Sequence, residues 1–257
     1  MIIIVKNFKE TRKVAKDMEE RAKELFEEAV KVVQKIEDAE WRSDALREIA
    51  GEMAEAGRFE EAVEVAEKIE DAELRSDALR EIAVKMAEAG GFEEAVEVAE
   101  KIKDPWRRSY ALRKIAGEVA KAGMEEKARE VFEEAVKVVQ KIEDARWRSD
   151  ALSKIAKEMA EAGMEERAEE LFEEAVEVAE KIKDPWWRSY ALREIAVEME
   201  EKAKELFEEA VEVAKKIEDA EYRSNALRMI AGEMAKAGMR KRARELFEEA
   251  VKVAKKD

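Results

Sequence analysis

WWRSYALREIAVEMEEKAKELFEEAVEVAKKIED, residues 186 to 219, is the one interior copy of a recurring two-helix unit whose turn is missing. Elsewhere the unit reads as in RSDALSKIAKEMAEAGMEERAEELFEEAVEVAEKI, residues 148 to 182, where Ala-Gly separates two amphipathic runs. In 186–219 the five residues corresponding to Ala160, Glu161, Ala162, Gly163 and Met164 are absent. The apolar stripe survives the deletion: Leu192, Ala196, Met199, Ala203, Leu206, Ala210, Val213 and Ile217 alternate by four and three without a stutter. That spacing predicts one straight helix over 185–217. Its halves would point in opposite directions, each with an apolar face that its own chain leaves uncovered.

Outward from this stretch the chain is an array. Aligned on the Ile that closes each second helix, the units end at Ile36, Ile69, Ile102, Ile142, Ile182 and Ile217, at intervals of 33, 33, 40, 40 and 35. The step from 33 to 40 adds seven residues, two helical turns, and lengthens the second helix without rotating its buried face. Each closing Ile is followed two residues later by Asp, at Asp38, Asp71, Asp104, Asp144, Asp184 and Asp219. A short acidic side chain there accepts from the first free amides of the next helix. Gly57, Gly90, Gly123, Gly163 and Gly238 stand where the first helices should end in a left-handed residue. The amino terminus lacks the turn as well: RKVAKDMEERAKELFEEAV, residues 12 to 30, aligns with REIAVEMEEKAKELFEEAV, residues 193 to 211. The expected division is therefore 1–36 (N-terminal segment and fused helix), 37–184 (four helix pairs), 185–217 (second fused helix) and 218–257 (a last pair).

Composition narrows the function classes. The 257 residues are 45% charged, with two Pro and no Cys or His, which removes a thiol nucleophile, an imidazole base, and zinc sites built on Cys or His. No Gly-rich phosphate loop or metal-ligand spacing occurs, so no catalytic, cofactor or metal residue is expected. The paired glutamates of each FEEA diverge around their helix and cannot act as an acid–base dyad. A net charge of −15 opposes nucleic acid and anionic membranes as partners, although residues 236–257 are locally basic. The opening MIIIV is too short for a membrane span and lacks the flank of a signal peptide, so a soluble cytoplasmic protein is expected. Few Asn and Gln beside abundant Glu, Lys and Arg fit a thermophilic protein or a designed consensus array.

The unit ALREIAGEMAEAGRFEEAVEVAEKI, residues 45 to 69, resembles the tetratricopeptide repeat (TPR), in particular the Glu- and Lys-rich versions found in archaea. Leu46, Ile49, Ala50, Met53, Ala62 and Ala66 fall at that family's packing spacings, and GRFEEA matches its usual connection. Pro after the second helix and the clamp Asn residues are absent. The resemblance implies an all-α, TPR-like α-solenoid of antiparallel helix pairs, here carrying two fused, turnless long helices. It also implies a groove lined by the first helices that takes a protein or peptide. The positions facing it would include Asp44, Asp77, Tyr110 and Tyr190 and a row of guanidiniums, Arg47, Arg80, Arg113, Arg193 and Arg228. That row suits a carboxylate-bearing peptide, or else pairs with Asp44 and Asp77 three residues back on the same helices.

Two recurring positions point to packing between units. Arg of the Arg-Ser dipeptide (Arg42, Arg75, Arg108, Arg148, Arg188, Arg223) is expected in an ion pair with the neighbouring unit, and Trp41, Trp147, Trp187 and Tyr222 as wedges. Mid-helix Gly51, Gly117 and Gly232 leave room for a close approach. The leading expectation is a protein–protein interaction scaffold that forms a homodimer by a domain swap through its fused helices, with Leu192, Ile195, Met199, Leu206, Phe207 and Val213 at the contact. A monomeric adaptor whose fused helices pack within one chain, or a helical array binding nucleic acid, are the competing expectations.

Overall fold

A computed structural model describes residues 2–199 and 202–254, with side chains described from Met18 onward. The described residues form thirteen α-helices and no strands: α1 (Ile2–Val33), α2 (Ala39–Glu55), α3 (Phe59–Ala66), α4 (Ala72–Glu88), α5 (Phe92–Glu100), α6 (Pro105–Lys121), α7 (Glu125–Val139), α8 (Ala145–Glu161), α9 (Glu165–Glu180), α10 (Pro185–Glu198), α11 (Ala203–Ala214), α12 (Ala220–Lys236) and α13 (Arg240–Ala254). The fold is an all-α helical repeat in which consecutive helices pack in pairs. Two compact units make up the chain, Met1–Ala111 and Leu112–Asp257.

Local chemistry sets the boundaries. All six Asp residues cap as their position predicts, each accepting a backbone N–H two or three residues on at 2.7–2.9 Å. Gly57, Gly90, Gly123, Gly163 and Gly238 have φ between 74° and 88°, a conformation that L side chains resist. The following N–H closes each turn on a carbonyl five residues back, as Arg58 does on Met53 at 2.8 Å. Second helices lengthen where the period does, from 8 residues in α3 to 15 in α7 and 16 in α9.

In the first unit α2 packs on α1, α3 and α4. In the second, α10 is embedded among α8, α9, α11 and α12. Ion pairs join successive second helices at a fixed spacing of 34 residues. Arg167 of α9 grips Glu133 of α7 through Nε and Nη2 at 2.7 and 3.1 Å, and Arg242 of α13 grips Glu208 of α11 at 2.7 and 2.7 Å. These arginines hold both carboxyls below the usual glutamate range. Glu133 and Glu208 are the first glutamates of their FEEA motifs, so part of that repetition is structural.

The straight helix expected over 185–217 does not form. Met199, with φ −103° and ψ 84°, leaves helical geometry, and α11 begins only after Lys202 at φ −101° and ψ 0°. The halves clasp each other as the hairpin α10–α11. Interrupting a helix forfeits a few hydrogen bonds, each of about 1 kcal/mol net. Folding back buries Leu192, Ile195, Met199, Leu206, Phe207 and Val213, for about 1.5–3 kcal/mol per large side chain. Packing therefore overrides the unbroken periodicity. The stripe reads the same whether one helix or two present it.

The near-copy at the amino terminus behaves differently, since α1 runs without a break through Met18, the counterpart of Met199. The contrast has a physical source. α10 has neighbours on several sides that reward a bend, whereas α1 packs on α2. The side chains of the opening MIIIV lie outside the described residues.

Candidate interaction surfaces

The recurring Arg-Ser pair defines how first helices dock. Arg75 donates to the carbonyl of Ile69 at 2.7 Å, Arg188 to that of Ile182 at 2.7 Å, and Arg42 and Arg223 reach Ile36 and Ile217 in the same way. The repeated partner is thus the closing Ile six residues back, a free carbonyl at the negative end of the preceding helix. The ion pair expected between units occurs at Arg42, which also meets Glu70 at 2.8 Å. The neighbouring serines are buried or half-buried. Ser149 and Ser224 donate to the carbonyls of Ala175 and Ala250 on the second helix of their own pair, both at 2.9 Å. Ser76, Ser109 and Ser189 donate instead to carbonyls of their own helices, at Ala72, Trp106 and Trp186, so the recurring Ser marks a buried position rather than one contact.

The aromatic positions reverse the expectation. Trp41, Trp147, Trp187 and Tyr222 are exposed rather than wedged between units, while Trp106 and Trp186, one residue earlier in their units, are half-buried. In the second unit they form a clustered edge. Trp186 meets Tyr222 edge-to-face at 5.6 Å, Trp187 meets Tyr190 at 6.1 Å, and the Arg146 guanidinium lies 5.2 Å over Trp187. Offset and edge contacts of this kind suit aromatic quadrupoles.

Most of the guanidinium row is engaged within the chain. Arg80 lies 3.5 Å from Asp77 and 5.1 Å over the Tyr110 ring, and Arg107, absent from the expected row, clamps Asp77 through Nε and Nη2 at 2.8 and 3.3 Å. Burial pushes the Asp77 carboxyl up, but the Arg107 bonds outweigh burial and hold it below its ordinary value. Arg113 is buried against Glu158, and Arg228 donates to Asn225 at 2.8 Å. Asp44 and Arg47 are half-buried, and the Arg47 Nε has no hydrogen-bond partner. Arg193 is buried 4.6 Å over Tyr190 and pairs with Glu194; like those of Arg47 and Arg80, its Nε has no hydrogen-bond partner. It lines a cleft with Trp186, Ser189, Tyr190, Met229 and Ile230.

Of the mid-helix glycines, Gly117 faces a close approach. A Cβ there would lie 3.2 Å from Oε2 of Glu158, whose other oxygen, Oε1, is held by Arg113 and by Lys114 at 2.8 Å. A Cβ at Gly232 would meet nothing within 4 Å.

The six residues expected at a self-association contact are all buried inside the chain by the α10–α11 hairpin and its neighbours. Three of their counterparts in α1 are open: Met18, Leu25 and Val32 are 68%, 60% and 59% exposed, against 8%, 6% and 6% for Met199, Leu206 and Val213, while Phe26, the counterpart of Phe207, is half-buried. Seven-residue spacing places the three on one stripe of α1. Among the described residues no helix is long and apolar enough to cross a membrane, and no group of His, Cys, Asp and Glu is placed to hold a metal ion.

No protein-family model matches the chain, and no curated protein matches it. Solved structures do. The nearly identical TPR-like repeats of a candidate kinesin light chain from Podosopora anserina are 20% identical, with 86% of this chain and 98% of that one covered, at a TM-score of 0.44. The aspartyl phosphate phosphatase F of Bacillus subtilis is 14% identical over 91% of this chain and 65% of its own, at a TM-score of 0.42. A signal transduction ATPase with a tetratricopeptide repeat sensor from Pyrococcus horikoshii is 18% identical over 90% of this chain and 39% of its own, at a TM-score of 0.41.

Proposed function

We propose that the chain is a non-enzymatic protein–protein interaction scaffold that self-associates, its contact being the open stripe of α1. One observation carries this: a stripe that is buried when its near-copy folds as α10–α11 stands in solvent along α1. Large apolar side chains aligned on one face of a helix are costly to leave in water and mark a binding surface. The residues of 185–217 cannot supply the contact while their hairpin is closed. Sedimentation equilibrium tests the proposal. Association at micromolar concentration that is lost in a Leu25→Glu variant with unchanged helicity is expected; a wild-type chain that stays at 29.4 kDa at every concentration refutes it.

A second surface is favoured by Arg193. A buried guanidinium flanked by Trp186 and Tyr190 suits the carboxylate of an acidic peptide that takes the place of Glu194, because charge-assisted bonds are strong where water is excluded. A fluorescently labelled acidic peptide should bind the wild type and lose at least tenfold in affinity with Arg193→Lys, about 1.4 kcal/mol. Equal binding by both proteins removes the site.

A further inference from the structure

The pairing that covers the α1 stripe is already present elsewhere in the chain. Segments 12–30 and 193–211 are near-copies, RKVAKDMEERAKELFEEAV and REIAVEMEEKAKELFEEAV. In the second, a first-helix half lies antiparallel against a second-helix half, and Met199, Leu206 and Val213 are buried. α1 contains both halves but holds them in line, so it cannot bring its own halves together. A second α1 laid antiparallel restores the missing pairing twice over, each first half meeting the second half of the other copy. We propose that the occupant of this face is a second copy of the chain, paired through α1 in antiparallel about a two-fold axis near residues 18–21. Those residues correspond to 199–202, where the near-copy turns. The inference rests on the self-association proposed above and adds the partner's identity and orientation.

Charge selects the orientation. The first half of α1 carries Lys6, Lys9, Arg12, Lys13 and Lys16 against Glu10 and Asp17. Its second half carries Glu19, Glu20, Glu24, Glu27 and Glu28 against Arg21, Lys23 and Lys31. A parallel pair would stack basic half on basic half and acidic on acidic. The antiparallel pair sets the basic half of each copy along the acidic half of the other, and a two-fold contact of this kind is self-complementary and closed.

The chain has no cysteine, so an introduced thiol reports only where it is placed. Full-length chains carrying Ala15→Cys are mixed with full-length chains carrying Leu25→Cys and oxidised. These positions correspond to Ala196 and Leu206, which flank the hairpin turn at similar distances. Cross-linked dimers between unlike chains are expected, several-fold above either preparation alone. Val32→Cys should not cross-link to itself, because in antiparallel its two copies lie roughly 35–40 Å apart at 1.5 Å per residue. Raising salt from about 50 mM to about 500 mM should weaken the dimer roughly tenfold as opposite charges are screened. Self-cross-linking of Val32→Cys means a parallel pair and overturns the orientation while leaving self-association standing. A dimer that cross-links at none of these positions, or that is indifferent to salt, likewise overturns this inference alone. A wild-type chain that is monomeric throughout overturns both.

Discussion

Gly117 and Glu158 should behave as one unit. Gly117→Ala alone gains about 1 kcal/mol of helix propensity. The new Cβ, 3.2 Å from Glu158 Oε2, must move that carboxylate a few tenths of an ångström, and the carboxylate is held by Arg113 and Lys114. Loosening such a pair and overpacking a filled site cost on the order of 1 kcal/mol, so the single variant should come out near neutral. Glu158→Ala should cost about 3 kcal/mol, because the Arg113 side chain it serves is 9% exposed and Glu158 is 14% exposed. With Glu158 gone, Gly117→Ala has nothing to displace and should return its full gain. The coupling between the two substitutions is then about 1 kcal/mol, or about fivefold in amide exchange protection. Hydrogen exchange of α6 and α8 is the suitable assay, since repeat arrays open in parts and a single melting curve averages over them. Gly232→Ala, with open space around it, is the control and should raise protection in α12 about fivefold. If Gly117→Ala stabilises the wild type as much as Gly232→Ala does, or if the coupling is below about 0.3 kcal/mol, glycine is not at 117 to admit the carboxylate.

Three further outcomes follow from the geometry. Arg75→Ala should destabilise α4 and the end of the preceding helix α3 by about 1–2 kcal/mol, because it removes a charged donor from the Ile69 carbonyl; Arg75→Lys should rescue it only in part, and exchange at the α3–α4 junction is the readout. Acid should loosen the second unit. The Arg146 guanidinium holds the Asp144 carboxyl down to about 2, and arginines hold Glu133 and Glu208 below their usual range. A carboxyl whose folded value lies below its unfolded one stabilises fully above the unfolded value, near pH 4, and that contribution disappears as pH falls toward 2. Urea midpoints should therefore be flat from pH 7 to about pH 5 and drop below about pH 4, and a midpoint that rises on acidification contradicts the assignment. Asp184→Ala should cost about 1 kcal/mol by removing the cap at the Trp187 amide, visible as earlier fraying of α10 in exchange, with Asp184→Asn close to wild type.

Much of the architecture was legible because it is written in single residues with one dominant role. Asp38, Asp71, Asp104, Asp144, Asp184 and Asp219 cap, and Gly57, Gly90, Gly123, Gly163 and Gly238 terminate, whatever surrounds them. The bend at Met199 was not legible, because periodicity reports which face is apolar and says nothing of whether the helix carrying it is interrupted. The deciding quantity, apolar area covered by α8, α9 and α12, is set by tertiary neighbours. The same limit applies to Trp41, Trp147 and Trp187: bulk predicts burial, yet their place on the first turn of each helix sends them outward. Recurrence of Arg42, Arg75, Arg188 and Arg223 announced a structural role, but their partner is a backbone carbonyl, which leaves no trace in side-chain identity. Of the arginines expected to line a groove, Arg80 and Arg228 follow the short-range pairing that helix spacing allows. Arg193 depends on a cleft formed with the next repeat, which a sequence does not display.

Moving the missing turn tests the account most directly. Inserting Ala-Glu-Ala-Gly-Met after Met18 gives α1 the connection it lacks, so its halves can fold on each other and cover Leu25 and Val32 within one chain. The same insertion after Met199 acts where the hairpin is already closed. Sedimentation equilibrium on the wild type and the two insertions should give a dimer of about twice 29.4 kDa for the wild type and for the Met199 insertion, and a monomer for the Met18 insertion. A monomeric Met199 insertion beside a dimeric Met18 insertion would return the self-association to residues 185–217 and contradict the account.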